Sequence, residues 1–303
     1  MVSDNPKSKI HNPKSIIIGL GEALWDLFPG GKKFGGAPAN FAYHARCLGA
    51  EAYVVSSVGQ DDLGREILDR LDTLKLNRQF VAVDDAHPTG TVSVEVDSSG
   101  KPSYVIHQNV AWDFIPAMPG LSELAGRAAA VCFGSLAQRS AVSRQTIHDF
   151  LAATREGCLR IFDINLRQHY YDAATIVGSL ELADVLKLND DELPVVGQLL
   201  SLGGGRREVV AALRDRYDLR LVALTRGERG STLVGPEGRS VHPGFPTTVA
   251  DTVGAGDAFT AVIAMGLLRG LDLDAINEQA NRVAAYVCSQ PGATPDMPAR
   301  LTK

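Results

Sequence analysis

The 303-residue chain contains no uninterrupted apolar run of about 18 residues, which excludes an evident membrane-spanning helix. Residues 1–14 are rich in Lys, Asn, Ser and Pro and lack the apolar segment of a secretory signal, so a flexible N-terminal tail and a cytoplasmic location are expected. Cysteine is scarce: Cys47, Cys132, Cys158 and Cys288 stand singly, without metal-ligand spacing or the density of a disulfide scaffold, and read as reduced core thiols. Dense basic runs are absent beyond Arg206-Arg207 and the net charge is −5, which argues against a nucleic-acid partner. There is no internal repeat or low-complexity tract apart from Gly203-Gly204-Gly205, a candidate loop tip. What is present is an ordinary soluble composition, 45% hydrophobic and 21% charged, long enough for a large core and a small second domain.

The most informative stretch is VADTVGAGDAFTAV, residues 249–262. Gly254, Ala255 and Gly256 have little or no side chain, so backbone N–H groups there can approach an anion at the start of the apolar helix expected over Ala258–Leu268. No Lys-Ser/Thr follows the last glycine, so this is not a Walker A loop. Asp257 at this junction repels a phosphate but suits the proton of an incoming hydroxyl, which makes it a candidate general base for phosphoryl transfer. The alternative is a helix N-terminal aspartate favoured by the macrodipole beside a tight glycine turn.

Near the N-terminus, the β-branched run Ser15–Gly21 predicts a buried first strand that ends in polar groups, Glu22 and then Asp26. Pro29, Gly30 and Gly31 predict a hairpin, and Gly35-Gly36-Ala-Pro-Ala-Asn40 leads into a helix. A carboxylate and an amide beside close-approach backbone suit a polyhydroxylated ligand, because each sugar hydroxyl both donates and accepts.

The run D-T-V-G-A-G-D-A-F closely resembles the C-terminal signature of the ribokinase-like (phosphofructokinase B type) carbohydrate kinases, and GEALWDLFP with GGAPAN resembles the N-terminal signature of fructokinase-like members. The resemblance extends over residues 15–298. It implies a doubly wound, mainly parallel α/β sheet flanked by helices over residues 15–303, with lid segments near 24–34 and 89–112. It further implies that Asp257 is the catalytic base and that Gly254, Ala255 and Gly256 form the anion hole, while Asp26, Gly36 and Asn40 contact the sugar. The alternating segment Thr91–Asp97, the turn Ser98–Lys101 and Tyr104–Ile106 predict a hairpin of that lid.

Further along, short strands alternate with helices, the rhythm of a covered parallel sheet. Asp163-Ile-Asn-Leu-Arg167 sits at a strand's carboxyl end, where open α/β sheets bind ligands. The run D-x-N-x-R also resembles that of fructokinases and ketodeoxygluconate kinases, which implies that Arg167 holds a phosphate or an anionic substrate group; a surface salt bridge to Asp163 or Asp172 is the alternative. Asn189 and Glu192 match a helix capping box, and they also resemble a family motif of the magnesium and phosphate environment, in which Glu192 would act on the hydrated cation through water. The resemblance assigns Thr225 and Gly227 to the nucleotide phosphates and ribose, and Asn281 to the adenine pocket. It also implies a monovalent cation, K⁺, at Asp251, Val253, Val287, Gln290 and Gly292. Trp112 reads as core packing or as a sugar-facing aromatic.

The expectation is thus an ATP- and Mg²⁺-dependent sugar kinase without nucleic-acid or membrane partners, with fructose as the first substrate and 2-keto-3-deoxygluconate as the runner-up. A catalytically silent sugar- or nucleotide-binding regulator is the non-enzymatic alternative. Val92, Val94, Val96 and Tyr104 motivate a homodimer through the lid.

Overall fold

A computed structural model describes residues 14–96 and 102–302, the side chains of residues 94–103 excepted. The expected tail up to residue 13, the Ser98–Lys101 turn and the side chains of Val94 and Val96 lie outside the described residues. Along the chain the strands are β1 (Ile16–Leu20), β2 (Leu24–Phe28), β3 (Gly31–Gly35), β4 (Glu51–Gly59), β5 (Asn77–Asp84), β6 (Thr91–Val96), β7 (Pro102–Ile106), β8 (Ala130–Phe133), β9 (Leu159–Asp163), β10 (Val185–Asn189), β11 (Leu221–Thr225), β12 (Ser231–Gly235) and β13 (Gly238–His242). The helices are α1 (Ala37–Cys47), α2 (Asp62–Thr73), α3 (Leu121–Arg127), α4 (Ala141–Ala152), α5 (Ala173–Leu182), α6 (Glu192–Leu199), α7 (Arg206–Arg216), α8 (Ala255–Leu268) and α9 (Leu273–Cys288).

Nine strands form the main sheet in the order β13-β12-β11-β10-β9-β8-β1-β4-β5, and four form a separate sheet in the order β3-β2-β6-β7. From β5 to β11 every pairing in the main sheet is parallel, whereas β12 and β13 return antiparallel at the edge. The chain order runs outward from β1 in both directions, so the switch point of the sheet lies at β1, flanked by β4 and β8. Both faces of the sheet are covered, as the period-2 alternation of β1 requires: Ile17 packs among α1 and α8 residues such as Phe41, Phe259 and Val262, while Ile18 and Leu20 face the opposite core with Phe133 and Phe162.

Small residues set the closeness of the layers. A side chain at Gly19 would meet the Pro38 carbonyl oxygen at 2.0 Å, so α1 begins directly on β1. Likewise, a side chain at Gly266 would meet Ile276 Cγ1 at 2.6 Å, which fixes how tightly α8 and α9 pack.

The small sheet is seated on the main body through β2. Trp25 Nε1 donates to the Leu63 carbonyl at 3.0 Å, and Lys32 pairs with Glu66 on α2. On its other side, Tyr170 Oη donates to the Ile106 carbonyl at 3.1 Å. Val92 is buried, and with Tyr104 and Ile106 it lines the cavity beneath the small sheet, so the face expected to be free for a second copy turns inward; Val105, on the opposite face of β7, is exposed. Trp112 is fully buried in the core with the Arg139 guanidinium 4.0 Å above its ring, and it packs rather than facing the cavity.

Candidate active site

The carboxyl ends of β1, β9, β10 and β11, the inner face of the small sheet and the start of α8 enclose a cavity of 1770 Å³. Its walls bring together most of the residues singled out from the sequence: Asp26, Gly36, Asn40, Arg167, Asn189, Thr225, Gly227, Val253, Gly254, Ala255, Gly256, Asp257 and Asn281 all line it.

At its centre α8 begins. Gly254 has φ +80°, and a side chain there would meet the Ala293 Cα at 2.6 Å, so glycine is required by both conformation and packing. The helix starts at Ala255, earlier than the expected Ala258, which places Asp257 in its first turn. The Ala255 N–H makes only a long 3.4 Å contact to the Thr252 carbonyl, consistent with donors available at a helix N-terminus.

The Asp257 carboxylate accepts a 2.9 Å hydrogen bond from Asn40 Nδ2. Burial and the negative charge of Asp163 push its pKa up to about 6, against the Asn40 hydrogen bond and the cations of Lys187 and Arg167. Below it, Asp163 accepts from Lys187 Nζ and from Thr260 Oγ1, each at 2.9 Å. Burial alone would lower the Lys187 ammonium, but the facing carboxylates of Asp163, Glu192 and Asp257 raise it, so it stays charged. A Cβ at Gly256 would stand 3.0 Å from Lys187 Nζ, so the ammonium lies against the first turn of α8.

Lys187 was not singled out in the sequence. The available signal was a lysine in the middle of the apolar strand Val185-Leu-Lys-Leu, a place where a charge needs a partner. Residues 243–247, Val249 and, on α9, Ala284, Ala285 and Cys288 also line the cavity, and they carried no motif by which to find them.

The end beneath the small sheet is rich in carboxylates. Asp26, on β2, is pushed up to about 6 by burial. Glu22 is 4% exposed, and its Oε1 accepts from the Ala37 N–H at 3.3 Å. Burial pushes its pKa up to about 7. Two buried atoms here have no hydrogen-bond partner, Glu22 Oε2 and Asn40 Oδ1. Gly36 has φ +112°, and a side chain there would meet the Glu22 carbonyl oxygen at 2.3 Å. Arg167 is exposed in the cavity and makes no salt bridge among the described residues, since Asp163 pairs with Lys187 and Asp172 caps α5. The loop carrying Arg167 is held between Asn165 and Gln168, both at positive φ.

The opposite end is satisfied internally. Asn281 donates to Ser231 Oγ at 2.7 Å and to Asn277 Oδ1 at 3.0 Å, and Asn277 Nδ2 donates to Ser240 Oγ at 3.0 Å. Asn189 and Glu192 adopt the capping-box alternative: Asn189 Oδ1 accepts from the Glu192 N–H at 2.8 Å, and Glu192 Oε2 accepts from the Asn189 N–H at 2.7 Å. Glu192 Oε1 accepts from the Leu166 N–H at 3.0 Å. The Glu192 carboxylate therefore faces backbone amides and does not line the cavity, so it does not fit a direct magnesium contact.

At the expected monovalent-cation position, the Asp251 carboxylate accepts from Lys33 Nζ at 2.8 Å, from the Gly292 N–H at 3.1 Å and from the Val253 N–H at 3.1 Å. The Val287 carbonyl accepts from the Gln290 N–H at 3.0 Å. Burial alone would raise Asp251, yet these hydrogen bonds and the Lys33 charge hold it below the usual carboxylate range. As arranged, the positive charge that faces Asp251 is the Lys33 ammonium from the small sheet. No group of three or more His, Cys, Asp or Glu among the described residues is arranged to hold a metal.

The model of the pfkB family carbohydrate kinases matches residues 28–300. An uncharacterized sugar kinase of Pyrococcus horikoshii is 30% identical over 297 residues, covering 92% of this chain and 91% of that protein. Its ATP complex superposes with a TM-score of 0.77 over 92% of this chain and 94% of the other, at 27% identity. A fructokinase of Salmonella typhimurium is 30% identical over 264 residues, 83% of each chain. The fructokinase of Vibrio cholerae bound to fructose, ADP and calcium superposes with a TM-score of 0.78 over 95% of this chain and 98% of that one, at 25% identity.

Proposed function

Because the chain belongs to the pfkB family of carbohydrate kinases, we propose that it transfers the γ-phosphoryl group of ATP to a primary hydroxyl of a sugar, with fructose as the first substrate. The observation that carries this reading is the Asp257 carboxylate, held by Asn40 beside the open first turn of α8 inside the cavity. In this reading the sugar lies between the small sheet and β1, contacting Asp26, Gly36 and Asn40. The nucleotide lies along the far wall, its adenine near Asn281 and its ribose and phosphates near Asn189, Thr225 and Gly227.

Asp257 accepts the proton of the attacking hydroxyl, while Asn40 orients the carboxylate. With a pKa of about 6, Asp257 is mostly ionised at neutral pH and still basic enough to share a proton in the transition state. The N–H groups of residues 254–256 and the Lys187 ammonium below Gly256 supply positive potential where charge develops on the transferring group. Magnesium, arriving on the nucleotide phosphates and keeping several waters, would neutralise further charge there. The small sheet excludes water above the acceptor.

Fructose is favoured by the likeness to the Salmonella typhimurium fructokinase across 83% of the chain. A second reading, 2-keto-3-deoxygluconate, is favoured by Arg167, a cavity cation without a salt bridge that suits a substrate carboxylate. A panel of sugars with ATP, read by ADP release, separates the two. Preferential turnover of fructose supports the first reading, and preference for the acid sugar replaces it. Ligand-dependent thermal stabilisation without ADP release across the panel would reveal a binding protein instead.

A further inference from the structure

Glu22 is a buried carboxyl on the wall of the cavity. It follows β1 at the switch point of the main sheet and is 4% exposed, yet it lines the cavity. One carboxyl oxygen is used: Oε1 accepts from the Ala37 N–H at the start of α1. The other, Oε2, has no partner, and neither has the Oδ1 of Asn40 on the same helix. A buried polar atom without a partner costs the fold free energy, and an isolated buried carboxyl costs most of all. Asn40 spends its amide N–H on Asp257, and Arg167 acts on Glu22 only as a nearby charge that falls short of offsetting its burial. A ligand that brings a hydroxyl to this point satisfies what the protein leaves open.

We propose that Glu22 is a sugar-binding residue whose Oε2 holds a hydroxyl of the acceptor other than the one that is phosphorylated. The inference rests on the assignment of this end of the cavity to the sugar, and it adds a discriminating contact on the floor of the site. Glu22 lies near Asp257 but is not placed to take the reacting proton, since Asp257 occupies the first turn of α8 beside the anion hole. Its task is recognition. A site that hydrogen-bonds a substrate hydroxyl rejects the analogue lacking it, because the buried partner is then left open again.

The test pairs the protein with its substrate. Wild type, Glu22→Gln and Glu22→Ala are assayed with the sugar that the panel selects and with its complete set of single-deoxy analogues. Glu22→Ala is expected to raise the sugar KM by about tenfold, the scale of a lost buried hydrogen bond, with the ATP KM unchanged. One deoxy analogue should cost wild type about tenfold and cost Glu22→Ala no more than about twofold, the signature of a shared contact. Glu22→Gln, which keeps size and one hydrogen bond, should fall between the two.

Equal, independent losses across the whole deoxy series in wild type and variant would overturn the proposal and leave Glu22 a support for the start of α1. If Glu22→Ala does not fold, the same cycle with Glu22→Gln decides: additive costs refute the contact. Failure of the fructose assignment shows separately, in the wild-type panel, before any variant is compared.

Discussion

The two ends of the cavity are built on opposite plans. Beneath the small sheet, side chains face the cavity with hydrogen-bonding capacity unspent: Glu22 Oε2 and Asn40 Oδ1 have no partner, and burial raises Glu22, Asp26 and Asp257. Toward α9 the polar side chains are spent within the protein, Asn281 on Ser231 and Asn277, and Asn189 and Glu192 each on the other's backbone N–H. The first end is poised to satisfy polar groups of a ligand, and the second offers shape, backbone and a rigid wall. Discrimination among acceptors therefore belongs to side chains at one end, while the other tolerates side-chain change in binding but not in stability.

Asp257, where the two ends meet, provides the severest test. Asp257→Asn should lower turnover by about 10² or more while preserving the fold and ATP binding, because it removes the base and leaves the α8 amides in place. Single-turnover assays together with nucleotide titration check this. Near-normal turnover would sever the link between the open end and chemistry.

The next pair of variants contrasts the ends directly. Asn40→Ala removes the donor to Asp257 and the unpartnered Oδ1, so kcat/KM for the sugar should fall by about tenfold or more with the ATP KM unchanged. Asn277→Ala should do the reverse. It strips partners from Ser231, Ser240 and Asn281 inside a fully buried network, which costs about 1–3 kcal/mol of stability and leaves the sugar KM alone. Thermal unfolding and steady-state kinetics on both variants make the comparison. A sugar KM that moves with Asn277→Ala would mean the ends are not independent.

The same contrast explains what was legible in the sequence. The anion hole could be read because its requirement is local: Gly254 needs a positive φ, and Asp257 follows at a fixed distance along the chain. The hairpin at Pro29–Gly31 and the buried run of β1 were readable for similar reasons of turn chemistry and β-branching. Lys187 escaped because its meaning depends on Asp163 from a neighbouring strand and Gly256 from a helix far along the chain. Glu22 was visible as a polar group at a strand end, but its unspent oxygen appears only once α1 is docked. Helix α2 is set by its own local signals, the Gly64 N–H donating to the N-cap Asp61 and Ile67 and Leu71 buried along one face. The antiparallel β12–β13 edge was signalled by Gly235-Pro-Glu-Gly238 and was absorbed into the parallel rhythm.

Acidity sharpens the contrast in a further way. With Asp257 at about 6, kcat/KM for the sugar should decline as pH falls through 6, since the protonated carboxyl cannot accept the hydroxyl proton. Stability carries a different sign. The Glu22 pKa is raised from 4.5 to about 7, so the folded protein holds a proton that the unfolded chain releases, and ionising Glu22 costs stability progressively from pH 4.5 to 7. Glu22→Gln removes that cost. Its melting temperature relative to wild type should therefore climb as pH rises from 5 and level off above 7, in ligand-free protein followed by calorimetry. A difference independent of pH would show that Glu22 is not buried as an acid.

The smallest effect is expected where the small sheet reaches across to the α8 loop. Lys33 pairs with Asp251 at 2.8 Å, with side-chain exposures of 49% and 14%, and an ion pair so open to water contributes about 0–1 kcal/mol. Lys33→Ala should thus change kcat/KM by less than about fivefold in physiological salt. Its value lies in what fills the charge. Asp251 in wild type already has a cation, so replacing K⁺ by a bulky organic cation should alter turnover by no more than about twofold, within the range of ordinary screening. In Lys33→Ala the carboxylate keeps only its two backbone donors, and K⁺ should then stimulate measurably. Strong K⁺ dependence in wild type would mean that Lys33 leaves Asp251 in the working enzyme. The small sheet would then sit differently during turnover, and the sugar end would be completed only after it moves.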